Sequence, residues 1–570
     1  MSTETLYWLL PEMTLVIAAT LIYIGGVFVP GRGLYTAIAL GGLLLAGWTM
    51  YGQYAELVSP DMSTIDEALE PALVIPISDP LAVDMFSQYV RWLVWVVGLA
   101  LILMAGRLAP SVQAPEYLGT LLLAIVGMML VSSARELVLL FLGLELISIP
   151  TYILLYLGRR SVDSQEASAK YFYLSILSSA VMLYGFSFIY GVAGSTELSQ
   201  LHATLASPDL TAGTRWLARL ALVLVFAGLG FKVTTVPFHF YAPDVYQGTT
   251  AGNAALLSVL PKLGGLVALV RIVVASMPGF ESYAWQIALV LALLTMTLGN
   301  VVALWQDNIR RLLAYSAIAH GGYMLMGLAV GCAAVSDVTG VRGAAGFDGI
   351  AAMLFYIAVY ALATTGAFAV LVYLGHDDKS SDSVQVDNVD ELAGLGSTHP
   401  WAALSMAIFM FSLTGIPPLA GFWGKLNLFA GTLSIRPIDG DTGATRSWFI
   451  ALAIVGVLNA AISAGYYLRV VAVMYFRPAT AESRSSGNPG AGLAMFGCAL
   501  LVVFVGLVPN PLQQRANEAS QSARLPSIEP AVDVATLRRQ APDHAIRKVT
   551  DPSARRASST RDSLAQAVAP

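Results

Sequence analysis

The sequence predicts an all-α polytopic membrane protein of about fourteen transmembrane helices, with two inverted five-helix repeats containing broken helices. Composition is the first observation: 56% of the 570 residues are hydrophobic and only 12% charged, against about a quarter charged in soluble domains. So much apolar surface needs lipid to cover it. The second is a succession of apolar runs of roughly the 17 to 25 residues that cross a bilayer. The third is a pair of interrupted runs. One ends Gly230-Phe-Lys-Val-Thr-Thr-Val-Pro and the other reads Gly415-Ile-Pro-Pro-Leu-Ala-Gly-Phe-Trp-Gly-Lys425. They lie five spans apart, an odd number, so they cross in opposite senses, as inverted repeats of transporters do.

In chain order, the spans are expected at 6–29, 34–50, 83–105, 117–133, 136–158, 170–192, 216–240, 250–275, 284–305, 311–332, 348–374, 401–433, 447–473 and 491–508. No Lys or Arg precedes the first run, so it lacks the positive flank of a cleavable signal and is expected to be kept. Glu12 near its start reads as a surface carboxylate of a helix N-terminus. Between the second and third runs, Tyr51 to Asp84 carries acidic residues and no Lys or Arg. With the N-terminus outside, the inside loops hold Arg32, Arg107, Arg159, Arg160, Arg310, Arg311, Lys379, Arg477 and Arg484, and the outside ones Arg135, Arg215, Arg342, Arg436 and Arg446. The bias of basic residues toward the inside supports that orientation. From about Gln513 the chain turns polar, and this tail is expected to be disordered.

Ionisable residues inside apolar runs single out the candidate site. A charge at mid-membrane costs about 2.5 kcal/mol or more, so such groups face a protein interior or a water path. Glu145 lies near the centre of the fifth run, whereas Glu136 reads as a solvated end residue. Lys232 has ten mostly apolar residues after it, and His239 follows Pro237. Lys262 stands behind Pro261, whose local break would admit water; His320 is central in the tenth run and Lys425 falls in the twelfth. All but Lys425 have a bland alternative: a hydrogen-bonded packing carboxyl for Glu145, snorkelling for Lys232, a structural role for Lys262, an interfacial histidine for His239 and a hydrogen-bonded core histidine for His320. Lys170, opening the sixth run, suits an interfacial anchor or a relay entrance equally. Taken together, Glu145, Lys232, Lys262, His320 and Lys425 make a chain of titratable groups the simplest reading, and proton movement its product.

Other chemistries find no support in the sequence. Gly424-Lys425 lacks the earlier glycine and following Ser or Thr of a phosphate loop. Two cysteines, Cys332 and Cys498, are too few for a thiolate-ligated iron–sulfur cluster or zinc site within this chain. A net charge of −5 gives no argument for nucleic acid. No metal or cofactor site is expected.

Gly143-Leu-Glu-Leu-Ile-Ser, Glu166-Ala-Ser-Ala-Lys-Tyr, Gly230-Phe-Lys-Val-Thr-Thr-Val-Pro-Phe-His, Pro243-Asp-Val-Tyr-Gln-Gly, Ala314-Tyr-Ser-Ala-Ile-Ala-His and Gly415-Ile-Pro-Pro-Leu-Ala-Gly-Phe-Trp-Gly-Lys resemble the subunit N family of bacterial NADH-quinone oxidoreductase, respiratory complex I. The resemblance covers about residues 5 to 510. It implies a non-redox subunit of a proton-translocating enzyme in the bacterial inner membrane, beside subunits K and M, with flavin, iron–sulfur clusters and quinone in partner subunits. It implies 1–116 as N-terminal helices, 117–280 and 281–475 as antiporter-like repeats, 476–512 as a last helix and 513–570 as the tail. By motif matching, Glu145 and Lys232 form the glutamate–lysine pair, Lys262 is the connecting lysine and Lys425 the lysine of the twelfth helix; His320 and His239 complete the expected proton relay. Thr249-Thr-Ala-Gly-Asn departs from the family's proline-bearing run, so the turn into the eighth helix is expected to differ. A multisubunit cation/proton antiporter is the alternative.

Overall fold

The computed structural model describes residues 3–29, 31–58, 77–78, 80–106, 108, 112–158, 161–335, 348–375, 386–435, 444–479 and 488–524. Arg107, Arg159, Arg160, Arg342, Lys379, Arg436 and Arg484, on which much of the orientation reading rests, lie outside them, as does the chain from 525 onward.

Helices account for nearly all of the described chain. A short α1 (Thr3–Trp8) precedes α2 (Leu10–Phe28), α3 (Gly33–Val58), α4 (Met85–Ala105), α5 (Ala114–Ser133), α6 (Leu137–Gly158) and α7 (Val162–Ala193). A two-residue ribbon, β1 (Ile77–Ser78) with β2 (Leu81–Ala82), stands before α4. After α8 (Leu198–Leu205), the seventh span is α9 (Ala212–Val233) followed across a break by α10 (Ala242–Gly248). Then come α11 (Ala251–Leu269), which runs on into a π-helical turn at Val270–Val274, α12 (Glu281–Ala303), α13 (Ile309–Val335) and α14 (Gly349–Leu374). The short α15 (Leu395–Thr398) leads to α16 (Pro400–Thr414) and α17 (Ala420–Leu433), followed by α18 (Ala444–Phe476), α19 (Pro489–Leu507) and α20 (Asn510–Ala523). Among the described residues, thirteen helices are long and apolar enough to cross a membrane, and α16 with α17 supplies the fourteenth span in two halves.

Helix packing repeats with an offset of five spans. In the first set α5 packs on α6, α7 on α9, and α11 on both α9 and α5; in the second α12 packs on α13, α14 on α16 and α17, and α18 on both of those and on α12. The sequence explains which helices sit inside. All nineteen residues of α11 are buried and every residue of α14 but Tyr373 is buried, because both are largely apolar all round and the polar Asn253, Ser258 and Lys262 of α11 bond inside the protein. By contrast α2, α3 and α18 turn Leu21, Leu44, Trp48 and Ile454 outward.

Four expectations need correction. Glu12 is not at the surface: it is 3% exposed and forms an ion pair at 2.6 Å with the fully buried Arg91 of α4, though not in hydrogen-bond geometry. Position near a helix start suggested solvent, but α3 and α5 pack on α2 and Arg91 reaches in from α4. Lys170 does not open its helix: α7 begins at Val162, capped by the Ser161 side chain, so the lysine lies about two turns in. Pro261 does not break α11, which runs through it without interruption. The tail does not begin at Gln513, since α20 continues to Ala523. Ala516, Ala519, Ser520 and Ala523, spaced three and four apart, make one fully buried stripe on this otherwise polar helix. It packs against α4 and α14; Ser522 accepts the Phe86 N–H at 2.9 Å, and Arg524 pairs with Asp348, the N-cap of α14, at 3.1 Å.

A second buried ion pair was illegible in the sequence. Arg271, in the π turn after α11, donates to both carboxylate oxygens of Asp84 at 2.7 and 2.8 Å and to the carbonyl of Ser132 at 2.8 Å. Asp84 also caps α4 by accepting from the Ser87 N–H. This one ion pair therefore fixes the ends of α4, α5 and α11 together, the carboxylate capping α4 and the guanidinium holding α5.

Candidate proton-transfer site

Two local features of the chain place the site. At the first break Thr234 adopts the left-handed conformation (φ 65°), uncommon for a β-branched residue. That ends α9 just after Lys232 and turns the Thr234 hydroxyl toward α11. At the second break Gly415 (φ 93°) makes the corresponding turn without a side chain to strain. The Val236–Pro237 and Pro417–Pro418 peptides are cis. The departure after Gly248 is absorbed by Thr250, whose hydroxyl caps α11 by accepting from the Asn253 N–H.

Lys232 and Glu145 meet between α9 and α6. Nζ lies 3.6 Å from Oε1, and the ammonium donates to the Ser148 hydroxyl at 2.6 Å, one turn along α6 from the glutamate. Glu145 also accepts from Ser179 of α7, whose neighbour Ser178 donates to the Gly228 carbonyl at 2.6 Å. Lys232 is 3% exposed but Glu145 is 20% exposed, because it shares its face of α6 with the outward Leu142 and Ile149.

Lys262 lies alongside on α11. Its ammonium donates to the Thr234 hydroxyl at 3.1 Å and to the Ala317 carbonyl of α13. That approach depends on Gly321: a Cβ there would stand 3.0 Å from the Val233 carbonyl and 3.6 Å from Lys262 Nζ. One turn beyond Ala317, His320 places Nδ1 2.6 Å from the Tyr356 hydroxyl and Nε2 2.9 Å from that of Tyr467, which in turn bonds Ser316.

An aromatic cluster then spans the distance to α17. Lys262 Nζ stands 5.5 Å from the centre of the Tyr360 ring, which is 5.1 Å from His320; Tyr323 lies 6.0 Å from Tyr356, and Lys425 Nζ is 5.1 Å from Tyr323. Lys425 donates to the Thr414 carbonyl at the second break, 2.8 Å away. The five residues Glu145, Lys232, Lys262, His320 and Lys425 thus line up through buried helices, Lys232 and Lys262 being related through Thr234, two residues after Lys232, and His320 and Lys425 through the tyrosine rings.

His239 does not join them. It lies half-buried in the turn between α9 and α10, and among the described residues no ion pair or hydrogen bond links it to the lysines. Sequence reading missed Ser148, Ser179, Thr234, Tyr323, Tyr356, Tyr360 and Tyr467. The four-residue spacing of Tyr356 and Tyr360 was the signal available, since it puts both rings on one face of α14.

Broken helices bearing buried lysines, in two packed repeats, define an antiporter-like multi-pass membrane subunit. A model for the transmembrane family of NADH:quinone oxidoreductase and Mrp antiporter proteins matches residues 134–440, which contain every residue of the set. NADH-quinone oxidoreductase subunit N of Trichlorobacter lovleyi is 34% identical over 91% of this chain and 97% of its own, and that of Anaeromyxobacter sp. is 37% identical over 75% and 82%. The chain belongs to the subunit N family of NADH-quinone oxidoreductase, whose bacterial relatives and apolar helices make it a multi-pass inner-membrane protein. Among solved structures, a chain of respiratory complex I from Thermus thermophilus with bound aureothin is 29% identical, with a TM-score of 0.67, covering 88% of this chain and 98% of its own. A chain of the Mrp complex from Dietzia sp. shares the fold at 21% identity, with a TM-score of 0.72, covering 92% and 98%.

Proposed function

We propose that this chain carries protons across the membrane as the non-redox subunit N of a proton-translocating NADH-quinone oxidoreductase, seated beside subunits K and M. Flavin, iron–sulfur clusters and quinone belong to other subunits, and electron transfer there supplies the driving force. The observation that supports this reading is the alignment of buried ammonium and imidazole groups, with hydroxyls and tyrosine rings between them, from Glu145 to Lys425.

The contacts support a path for the proton. The Glu145 carboxylate faces the Lys232 ammonium at 3.6 Å, so a change in their separation changes how tightly the lysine holds its proton. Thr234, two residues from Lys232, is the hydroxyl that Lys262 engages. From Lys262 the proton passes to His320, which has hydroxyl partners on both ring nitrogens, and then along Tyr356 and Tyr323 toward Lys425.

The test is proton uptake by vesicles containing the assembled complex, measured per NADH oxidised. Lys232→Ala and Glu145→Gln are expected to lower the share carried by this chain about a hundredfold, the low end of what a positioned proton-transfer group contributes. Tyr356→Phe removes one hydroxyl from His320 and is expected to lower it about fivefold, the equivalent of one hydrogen bond. Uptake unchanged in all three would sink the reading. The native assembly should also retain flavin- and cluster-bearing partners on purification; their absence, with sodium-dependent exchange instead, would favour a multisubunit cation/proton antiporter.

A further inference from the structure

At the end of the seventh span, α10 presents one carboxylate whose two oxygens are held by different helices. Asp244 Oδ2 accepts from Lys170 of α7 at 3.0 Å, and Oδ1 pairs with Arg311 of α13 at 3.0 Å. α10 packs against both of these helices, while α7 packs mainly on α6 and α9 and α13 mainly on α12 and α14. Each of those two helices also serves the relay. α7 brings Ser179 to Glu145 and Ser178 to the Gly228 carbonyl, one turn before Lys232. α13 brings the Ala317 carbonyl to Lys262 and carries His320.

On the reading of the chain as a proton carrier, we propose that Asp244 is a positioning residue that holds α7 and α13 in register, and so sets the Glu145–Lys232 pair against Lys262 and His320. Its carboxylate acts through α10, the short half-helix beyond the break, without touching a relay group itself. The charges facing it are Lys170 and Arg311, with Glu166 on Lys170 at 2.7 Å and Gln247 on Arg311 at 2.8 Å. Loss of Asp244 therefore leaves both cations with a partner. The groups are also about a third exposed, and exposed ion pairs add little to stability. Asp244→Asn should fold and assemble, because α10 still packs on both helices and Gln247 still holds Arg311; what it removes is the negative charge that Lys170 and Arg311 share.

The experiment measures proton uptake per NADH oxidised in vesicles of the assembled complex. The share lost in Lys262→Ala defines what passes through this chain. Asp244→Asn is expected to lower that share about threefold to fivefold, within the range a partly exposed ion pair can contribute, and Asp244→Glu to restore most of it. Combining Asp244→Asn with Arg311→Gln should add little to either alone, since both cut the same link. Full uptake in Asp244→Asn, or independent effects of the two substitutions, would overturn the proposal while a normal loss in Lys262→Ala leaves the proton-carrier reading standing. If Lys262→Ala has no effect either, it is that reading that fails.

Discussion

Lys262→Ala is expected to stop proton passage through this chain, lowering its share of NADH-driven uptake by about a hundredfold or more, the loss typical of removing a positioned acid–base group. Lys262 is the group through which the two halves of the site meet. It touches Thr234 at the first break, the Ala317 carbonyl of α13 and the Tyr360 ring, and it is 1% exposed. Its hydrogen-bond partners are neutral, so its removal strands no buried countercharge and the complex should still assemble. Lys262→Arg separates charge from titration: a guanidinium is a permanent cation, so it preserves the charge but should not restore transfer. Assembly is checked by the amount of purified complex. Normal uptake by either variant would break the proposed path at its centre.

Arg271→Ala carries the largest expected cost in stability. Arg271 and Asp84 are 4% and 2% exposed, and cutting one side of such a pair leaves an uncompensated buried charge, at about 3–5 kcal/mol. The expected result is a clear drop in thermal unfolding temperature in detergent, with reduced yield of assembled protein. Exchanging both partners for apolar residues, Arg271→Met with Asp84→Leu, should recover much of the loss, because well-packed apolar side chains often replace a buried ion pair at little cost. A double variant as unstable as the single one would show that the carbonyl of Ser132 and the cap on α4 matter more than the charge pair.

What could be read from the sequence followed from contrast. Lys232, Lys262, His320 and Lys425 stand out because a charge or an imidazole inside an apolar run has no cheap explanation. Tyr323, Tyr356, Tyr360 and Tyr467 did not, since a tyrosine in an apolar helix looks like any other packing ring until its neighbours are known. Arg91 and Arg271 lie near helix ends, where basic residues commonly reach water, and only the folded chain reveals that Glu12 and Asp84 meet them inside. The polar composition of α20 hid its small-residue stripe. Asp244 was visible as part of a motif, but its two-helix grip depends on residues more than sixty positions away on either side.

The complete enclosure of α11 has a consequence for biogenesis. Alone in a bilayer, this helix would expose Lys262 and Asn253 to hydrocarbon, and a lysine at helix centre disfavours insertion by about 2.5–3.5 kcal/mol. The Ala317 carbonyl that receives its ammonium lies 55 residues downstream, so it emerges from the ribosome only later. Until then the nascent segment must shelter against α5, α6 and α9, which precede it and form its flank in the finished protein. The order of synthesis thus supplies the wall on which this lysine-bearing segment can rest before its remaining neighbours arrive.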